Sequence, residues 1–366
     1  MNIRIDELIN KAYEKKIVFF GAGKLFREFI DYFKEYHIEN YIYCVLDNDH
    51  NKNNTFISIN GTDIAIKTVE NFLSEKVENI IIVISIVDIE EIIDQLNSIR
   101  EFDNTECYIA KFVIYEDETS GENDRFYPEN LRITETPLIP KKIHYCWFGG
   151  NPIPDKYREW MNSWKKYCPD YEIIEWNESN YDITKNKYIY QAYQAKKWCF
   201  VSDYARLDVV YNYGGIYFDT DVELIKNPDD MLYQSAFMGF ETNQYVATGL
   251  GFGAEKNHPV IKIMRDYYND MEFIDKDGNM NLTTCDIHQT NFLVEKGLKL
   301  NGDYQIIDGM TIYPRKILCG KNHYKGKIET TENTISIHHY DASWCDADVK
   351  RIIKYNQELY SKLLSQ

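Results

Sequence analysis

The chain has 366 residues and a formal net charge of −17 at pH 7, because 58 acidic residues outnumber 41 Lys and Arg residues. Nucleic acids are bound by clustered Lys and Arg, so this balance argues against a nucleic-acid partner. No run approaches the roughly 18 apolar residues that span a bilayer, and the first residues lack a basic segment followed by an apolar one, so we expect neither a transmembrane segment nor a signal peptide.

The first 115 or so residues alternate short apolar strands with amphipathic helices. Strands are predicted at 17–20, 41–46 and 80–84, and helices at 24–36 and 88–99. This alternation indicates a small Rossmann-like domain, residues 1–115, in which a parallel sheet carries helices on its faces. The stretch 116–137 is polar and poorly patterned, and we interpret it as a linker.

A glycine turn, Gly21-Ala22-Gly23, follows the first predicted strand, and Asp47 comes about 25 residues later. Both features belong to the dinucleotide-binding fingerprint, but Phe26 stands at its third glycine position. One interpretation is a pocket for a nucleotide, a nucleotide sugar or NAD, with a phosphate at the helix N-terminus, which would make the chain an oxidoreductase or a nucleotide-binding module. The other is a degenerate module kept for packing or assembly, which we favour.

Residues 138–366 are predicted to form a second α/β domain. The last segment, 348–364, has the pattern of an amphipathic helix, and we assign it to this domain as a lid on its core. The other elements alternate along the chain: strands at 143–148, 172–175, 216–219 and 335–338, and helices at 155–167, 188–197, 203–213 and 259–271.

The stretch 202–221 carries the strongest functional signal. Ser202 is a predicted helix N-cap, a Gly-Gly pair ends the helix, and an apolar strand then leads into Asp219-Thr220-Asp221. The strand period of two puts both carboxylates on one side, with Thr220 pointing away. An isolated pair of this kind is usually a solvated turn, but the ordered elements before it favour a cation site. Carboxylates suit Mg²⁺ or Mn²⁺, which keep open positions for the phosphate oxygens of a nucleotide diphosphate.

Asp203 and Arg206 stand three residues apart on one face of the predicted helix, where both can reach the same ligand. The alternative is an ion pair on the surface, which would stabilise the helix by only about 0.2–0.5 kcal/mol.

These residues resemble the DXD-containing glycosyltransferases of family 32, including bacterial capsular polysaccharide enzymes, with the large clostridial glucosylating toxins as more distant relatives. The resemblance covers roughly residues 136 to 346. It is carried by the acid pair and by three further segments in the family's order: an opening segment at 139–150, a second at 169–176 and a closing segment made of 312–314 and 334–344. The resemblance implies a GT-A fold for the second domain and transfer of a hexose from a nucleotide-diphosphate sugar.

The resemblance also implies a role for each matched residue. Asp219 and Asp221 would hold Mn²⁺ or Mg²⁺ against the diphosphate, and His338 would complete the metal shell, with His339 as its competitor. The other matched residues would contact the donor: Asp203 and Arg206 the sugar, Tyr217 its surroundings, Trp147 the base, and Ser343 and Trp344 the diphosphate. Tryptophans are mostly core residues, so packing is an equally good interpretation of Trp147.

The resemblance implies retention of the anomeric configuration by front-face displacement, in which a diphosphate oxygen takes the acceptor proton. We expect a UDP-hexose as donor and, as acceptor, a lipid-linked or free saccharide of surface polysaccharide synthesis. Residues 245–254 are rich in glycine and are candidates to line the donor sugar, while Asp286, His288 and Gln289 are candidates to face the acceptor. A glycoside hydrolase would need two carboxyl groups about 5–9.5 Å apart, so the closely spaced acid pair favours a metal site instead.

The eight cysteines show no C-x-x-C spacing, which argues against a zinc site or a disulfide framework. We therefore expect free thiols and a cytoplasmic protein. Its negative charge disfavours a membrane surface, although a local basic patch would allow peripheral attachment to the inner face.

Overall fold

The structure is a computed structural model that describes residues 3–121, 125–342 and 347–363. The chain divides into two compact units, one formed by residues 1–120 together with 346–366 and the other by residues 121–345. No helix in the described ranges is both long enough and apolar enough to cross a bilayer.

The first unit is an α/β layer built on one sheet. Its strands are β1 (Lys16–Phe20), β2 (Ile42–Leu46), β3 (Thr55–Ile59), β4 (Thr62–Lys67), β5 (Ile80–Ile84) and β6 (Glu106–Ile109). Its first helices are α1 (Ile5–Ala12), α2 (Lys24–Tyr32), α3 (Val69–Ser74), α4 (Ile89–Asn97) and α5 (Ala110–Glu118). The strand order is β3-β4-β2-β1-β5-β6, and all neighbouring strands are parallel except β3 and β4. The prediction of a parallel sheet with helices is confirmed, although β3 runs antiparallel to β4.

The second unit is an α/β domain around a mixed sheet. Its longer strands are β7 (Lys142–Cys146), β8 (Glu172–Trp176), β9 (Gly215–Tyr217), β10 (Val222–Leu224), β11 (Ala236–Phe240), β13 (Phe252–Ala254), β14 (Gln305–Ile307), β15 (Met310–Tyr313) and β18 (Ser336–His338). Its two-residue strands are β12 (Val246–Ala247), β16 (Lys321–Asn322) and β17 (Lys327–Ile328). Its helices are α6 (Asp155–Tyr167), α7 (Lys187–Gln194), α8 (Trp198–Tyr213), α9 (Pro259–Asp266), α10 (Cys285–Glu295) and α11 (Arg315–Leu318).

The main sheet has the order β14-β15-β11-β13-β9-β7-β8, with β12 paired to β11. Strands β7, β8 and β9 are parallel to one another, whereas β13 runs antiparallel to both β9 and β11. The mixed α/β architecture agrees with the predicted GT-A fold class. β18 is not in this sheet, because it pairs with β10 in a small antiparallel sheet.

Two glycines connect the longest central helix to the sheet. Helix α8 is buried along most of its length and ends at Gly214, whose φ is +65°. Gly215 has φ +116°, and a Cβ there would lie 2.8 Å from the carbonyl oxygen of Lys142. A side chain at either position would strain the backbone, so the predicted glycine stop is the reason that β9 starts where it does.

The start of α8 differs from the sequence prediction. The helix begins at Trp198, so Ser202 lies inside it, and the Ser202 hydroxyl donates to the carbonyl of Trp198 instead of capping an N-terminus. A serine inside a helix can satisfy itself by this i−4 bond, so residue type alone did not fix the boundary. The helix predicted at 24–36 likewise ends earlier, at Tyr32, and a short 3₁₀ turn follows it.

The C-terminal helix, α12 (Ala347–Leu363), belongs to the first unit and not to the second domain, where the sequence prediction assigned it. Arg351 pairs with Asp88 and Glu90, and the ring of Tyr360 lies 4.7 Å from that of Phe112. An amphipathic pattern shows that a helix has an apolar face but does not show which core covers it.

The described residues of the segment predicted as a linker, 116–121 and 125–137, are part of the two units. Helix α5 continues to Glu118, and residues from 125 onward pack on the second unit. Arg132 pairs with Asp230 at 2.7 Å, and the N–H of Ile133 donates to the carbonyl of Tyr233.

Candidate functional site

The acid pair lies in a turn that connects β9 to β10. Strand β9 ends at Tyr217, and the N–H of Val222 donates to the Asp219 carbonyl at 3.0 Å. The two carboxylates converge because of this turn, and not because of the strand alternation that the sequence suggested. The strand order still matters, since β9 lies between β7 and β13 and the turn therefore starts at the C-terminal end of a central strand.

His338 completes a cluster with this pair. Ligand atoms of Asp219, Asp221 and His338 all lie within 4.8 Å of one another. The Nε2 atom of His338 is 3.2 Å from Oδ1 of Asp221, because β18 pairs with β10 so that His338 stands opposite Val222. His339 faces elsewhere: its ring stacks on Trp160 at 4.1 Å, and its Nε2 lies 2.9 Å from Glu223.

The donor set of this cluster fits a divalent cation. Two carboxylates and one imidazole are ligands that Mn²⁺ and Mg²⁺ sites accept, the imidazole favouring Mn²⁺. The Nδ1 atom of His338 is buried and has no hydrogen-bond partner among the described residues. Burial raises the pKa of Asp221, but the charge of His338 and hydrogen bonds outweigh it and hold the pKa near 2, so this carboxylate is ionised.

Arg206 connects the acid pair to Asp203. Its NH2 atom lies 3.2 Å from Oδ1 of Asp203 and 3.2 Å from Oδ1 of Asp219. Arg206 and Asp203 are only 4% and 6% exposed, so the surface ion-pair interpretation is wrong. Tyr217 is buried, and the guanidinium carbon of Arg206 lies 5.1 Å from the centre of the Tyr217 ring. The Tyr217 hydroxyl donates to Asp219 at 2.9 Å. These residues therefore form one buried charge network around Asp219.

Asp203 sits in an environment that disfavours its negative charge. Burial raises its pKa to about 6, and the positive charge of Arg206 offsets only part of this effect. A carboxyl group with a pKa this close to neutrality is typical of functional sites.

The glycine-rich segment 245–254 lines the same network. A Cβ on Gly249 would lie 2.6 Å from Oδ2 of Asp219 and 3.6 Å from NH1 of Arg206. Thr248 is fully buried, and its hydroxyl accepts hydrogen bonds from Arg206 at 3.3 Å and from Gln289 at 2.8 Å. Absence of a side chain at Gly249 leaves room for the Asp219 carboxylate.

Helix α10 brings a further group of residues to this network. The Sγ atom of Cys285, its first residue, lies 3.6 Å from NH1 of Arg206, and Asp286 follows it. Gln289 is buried and bonded to Thr248, so it supports the network from within, whereas His288 is half-buried beside Tyr267. Cys285 could not be identified from the sequence, because a single cysteine at a helix start has no characteristic pattern.

The remaining predicted donor contacts differ in what the structure describes. Trp147 follows β7, is partly buried, and donates from Nε1 to the carbonyl of Asn151 at 2.6 Å. Its ring meets Tyr157 edge to face at 5.8 Å. Ser343 and Trp344 lie outside the described residues.

The glycine turn of the first unit makes contacts with other residues of the same unit. The carboxylate of Asp47 accepts from the Ala22 N–H at 3.0 Å and pairs with Lys52 at 3.0 Å. A Cβ on Gly21 would lie 2.5 Å from Ile86, so this glycine is required for packing. Asp47 is already engaged by protein groups, which favours the structural interpretation of the turn over a dinucleotide pocket.

Comparison with known proteins identifies the region that carries the acid pair. A family model described as a glycosyltransferase sugar-binding region containing a DXD motif matches residues 154–238. Inositol phosphoceramide mannosyltransferase 3 of Schizosaccharomyces pombe is 28% identical over 152 residues, which are 39% of this chain and 41% of that protein. Inositol phosphoceramide mannosyltransferase 1 of the same yeast is 28% identical over 138 residues, 35% of this chain and 42% of that protein.

Each of these matches spans about two fifths of the relative's own length. Among solved structures, the PaToxG glycosyltransferase aligns over 50% of this chain and 76% of that chain, at 19% identity and a TM-score of 0.32. The family model and the relatives support the predicted enzyme class, a glycosyltransferase with a DXD region. Membership of family 32 and the bacterial capsular type stay predictions.

Proposed function

We propose that the second unit transfers a hexose from a nucleotide-diphosphate sugar to a saccharide acceptor, with Mn²⁺ or Mg²⁺ bound by Asp219, Asp221 and His338. The observation that carries this proposal is the convergence of those three side chains beside the buried Arg206 and Asp203. A cluster of metal ligands next to a buried network of polar groups is what a sugar diphosphate requires.

Each group has a chemical role in this proposal. Asp219, Asp221 and His338 would hold the cation, and its positive charge would stabilise the negative charge of the departing diphosphate. Arg206 is held by Asp203, Asp219 and Thr248, so its positive charge is fixed beside the acid pair, where we assign it to the oxygens of the donor sugar. Tyr217 fixes the Asp219 carboxylate through its hydroxyl, which orients that ligand.

The proposal includes the stereochemistry that the family resemblance implies. We infer retention of the anomeric configuration, with a diphosphate oxygen as the proton acceptor. Asp203 is tied to Arg206 and its pKa is raised, so it is better suited to bind a sugar hydroxyl than to attack the anomeric carbon. Trp147 is proposed to contact the base.

The names of the relatives add a candidate donor sugar. Both fission-yeast proteins are named mannosyltransferases, so mannose joins the hexoses to be tested on this chain. For the nucleotide we keep UDP as the first candidate and GDP as its competitor. We further propose an acceptor from surface saccharide synthesis, lipid-linked or free, and a cytoplasmic site of action.

The proposed function is tested by hydrolysis of a panel of UDP- and GDP-hexoses with Mn²⁺, with Mg²⁺ and with EDTA. We expect release of the nucleoside diphosphate with at least one donor, and loss of this activity in EDTA. Asp219→Asn should abolish it, whereas Asp277→Asn, on an exposed loop, is the matched control and should keep it. Hydrolysis that persists in EDTA, or in Asp219→Asn, would contradict the metal role.

A further inference from the structure

Strand β12 is only two residues long, yet the chain around it has hydrogen-bonding partners on both sides. On one side it pairs with β11, where Val246 stands opposite Phe240. On the other side the N–H of Val246 donates to the hydroxyl of Thr290 at 3.0 Å. The N–H of Thr248 donates on this same side, to Oε1 of Gln289 at 3.1 Å. Alternate N–H groups of a strand point to one edge, so two adjacent side chains of α10 take the place of a neighbouring strand.

Gln289 makes a second bond to Thr248. Its Nε2 donates to the Thr248 hydroxyl at 2.8 Å, so one carboxamide holds both the backbone and the side chain of that residue. Gln289 and Thr248 are 2% and 0% exposed. Without the carboxamide, a buried N–H and a buried hydroxyl would lose these partners, and the cost of leaving them unpaired would favour a shift of the backbone at position 248.

The Thr248 hydroxyl connects Gln289 to Arg206. NH1 of Arg206 donates to Oγ1 of Thr248 at 3.3 Å. NH2, the other terminal nitrogen, lies 3.2 Å from both Asp203 and Asp219. A threonine hydroxyl can accept two hydrogen bonds, and Gln289 and Arg206 use both. Thr248 therefore fixes the guanidinium at the nitrogen opposite to the one that pairs with the carboxylates.

Gly249, the next residue, connects the same segment to the acid pair. The N–H of Asp219 donates to the carbonyl of Gly249 at 3.4 Å, and a Cβ on Gly249 would lie 2.6 Å from Oδ2 of Asp219. A shift of the backbone at 248–249 would therefore displace Asp219 as well as Arg206. Gln289 is thus linked to two groups of the site through one short segment of chain.

We propose that Gln289 is a positioning residue of the transferase site, which holds the segment 248–249 so that Arg206 and Asp219 keep the orientation in which they act on the donor. The inference rests on the proposed function and adds to it a residue that contacts neither donor nor cation. This role differs from the acceptor contact that the sequence suggested for Gln289. One branch runs through the Thr248 hydroxyl to Arg206, and the other through the backbone of 248–249 to Asp219.

Thr248→Val tests the first branch alone. Valine keeps the shape of the side chain and the backbone bond to Gln289, but it has no hydroxyl. We expect the turnover of donor hydrolysis to fall about tenfold, as for the loss of one hydrogen bond to a charged group, with the affinity for Mn²⁺ within about twofold of the wild type. Thr248→Ser keeps the hydroxyl and should restore most of the turnover.

Gln289→Met tests both branches, because methionine has a similar volume but makes neither bond to Thr248. We expect turnover to fall about a hundredfold, as for a misplacement of about 1 Å at the reacting groups. The affinity for Mn²⁺, measured by calorimetry, should fall about tenfold, as for the loss of a residue that orients a metal ligand. Adding Thr248→Val to Gln289→Met should cost little further turnover, because the two side chains act through one bond.

Gln234→Met is the matched control. Gln234 is also a buried glutamine, 1% exposed, and it donates to the carbonyl of Met231 and to the Tyr313 hydroxyl, both at 2.9 Å. It precedes the end of β11 that pairs, through β13, with the start of β9, so it lies at the other end of the sheet from the acid pair. This variant should lower the melting temperature about as much as Gln289→Met does, and change neither turnover nor the affinity for Mn²⁺.

Three results would overturn the proposal: wild-type turnover in Thr248→Val, wild-type affinity for Mn²⁺ in Gln289→Met, or equal losses of both in Gln289→Met and Gln234→Met. The last result would show that lost stability alone explains the effect. If Gln289→Met does not fold, turnover in Thr248→Val and its recovery in Thr248→Ser decide. A wild type that hydrolyses no nucleotide sugar would instead overturn the proposed function, and this inference with it.

Discussion

The α-carbon of Gly249 lies so close to the carboxylate of Asp219 that a Cβ added to this glycine would be 2.6 Å from Oδ2 of Asp219. The backbone of Gly249 is not in the left-handed region, so alanine can adopt its conformation. The glycine is needed for the space that it leaves to one functional carboxylate. A substitution at position 249 therefore tests the cluster of Asp219, Asp221 and His338 without replacing any of these three residues.

Gly249→Ala should lower donor hydrolysis by about a hundredfold, because a carboxylate displaced by about 1 Å no longer holds its cation in the reactive geometry. The affinity for Mn²⁺, measured by calorimetry, should fall with it, while the melting temperature changes little. Gly23→Ala is the matched control, since Gly23 has no atom within 4 Å of an added Cβ. Full activity in Gly249→Ala would show that Asp219 is not a ligand.

Arg206→Lys keeps a positive charge but loses the planar group that bonds Asp203 and Asp219 together. We expect turnover to fall by about a hundredfold, as for the removal of one positioned donor, with a smaller change in nucleotide affinity. Steady-state rates and titration of UDP in the presence of Mn²⁺ separate the two effects. If UDP affinity falls as much as turnover, Arg206 acts on the diphosphate and its assignment to the sugar is wrong.

The local parts of this site could be predicted from the sequence, and the long-range parts could not. The helix, the glycine stop and the acid pair are contiguous, so their order is visible in one stretch of chain. Cys285 reaches Arg206 only through the attachment of α10 to β12, which no local pattern encodes. The partner of α12 was mistaken for the same reason, since its apolar face is compatible with either core.

The affinity for Mn²⁺ should rise with pH through the titration of His338. Burial lowers the pKa of His338, but the ionised Asp221 beside it outweighs burial and raises that pKa above its ordinary value of about 6.5. Without metal, the protonated ring therefore stabilises the fold below about pH 6.5, and this contribution is lost as the pH rises through the raised pKa. Metal binds only the deprotonated ring nitrogen, so binding strengthens over the same interval.

Calorimetric titration of Mn²⁺ between pH 5.5 and 8.5 measures this dependence. His338→Asn should bind Mn²⁺ more weakly and with a flatter pH dependence, while His339→Asn, whose ring stacks on Trp160, should keep the wild-type slope. The same slope in His338→Asn as in the wild type would exclude His338 as a ligand.

The last prediction concerns the second unit alone. Its two apolar cores draw on residues between 127 and 340, whereas the core of the first unit draws on residues between 3 and 114. A protein truncated to residues 121–345 should therefore fold, and it retains every proposed metal and sugar ligand. We expect cooperative thermal unfolding by circular dichroism and metal-dependent donor hydrolysis within about threefold of the full chain, because additivity is expected for independent parts.

The corresponding truncation to 136–366 is the informative comparison. It removes Arg132 and Ile133, which bond to Asp230 and Tyr233, and it keeps α12 without its partners. It should therefore melt at a lower temperature. A folded 121–345 protein that binds neither UDP nor Mn²⁺ would show that the first unit contributes to the site, and the structural interpretation of its glycine turn would then be wrong.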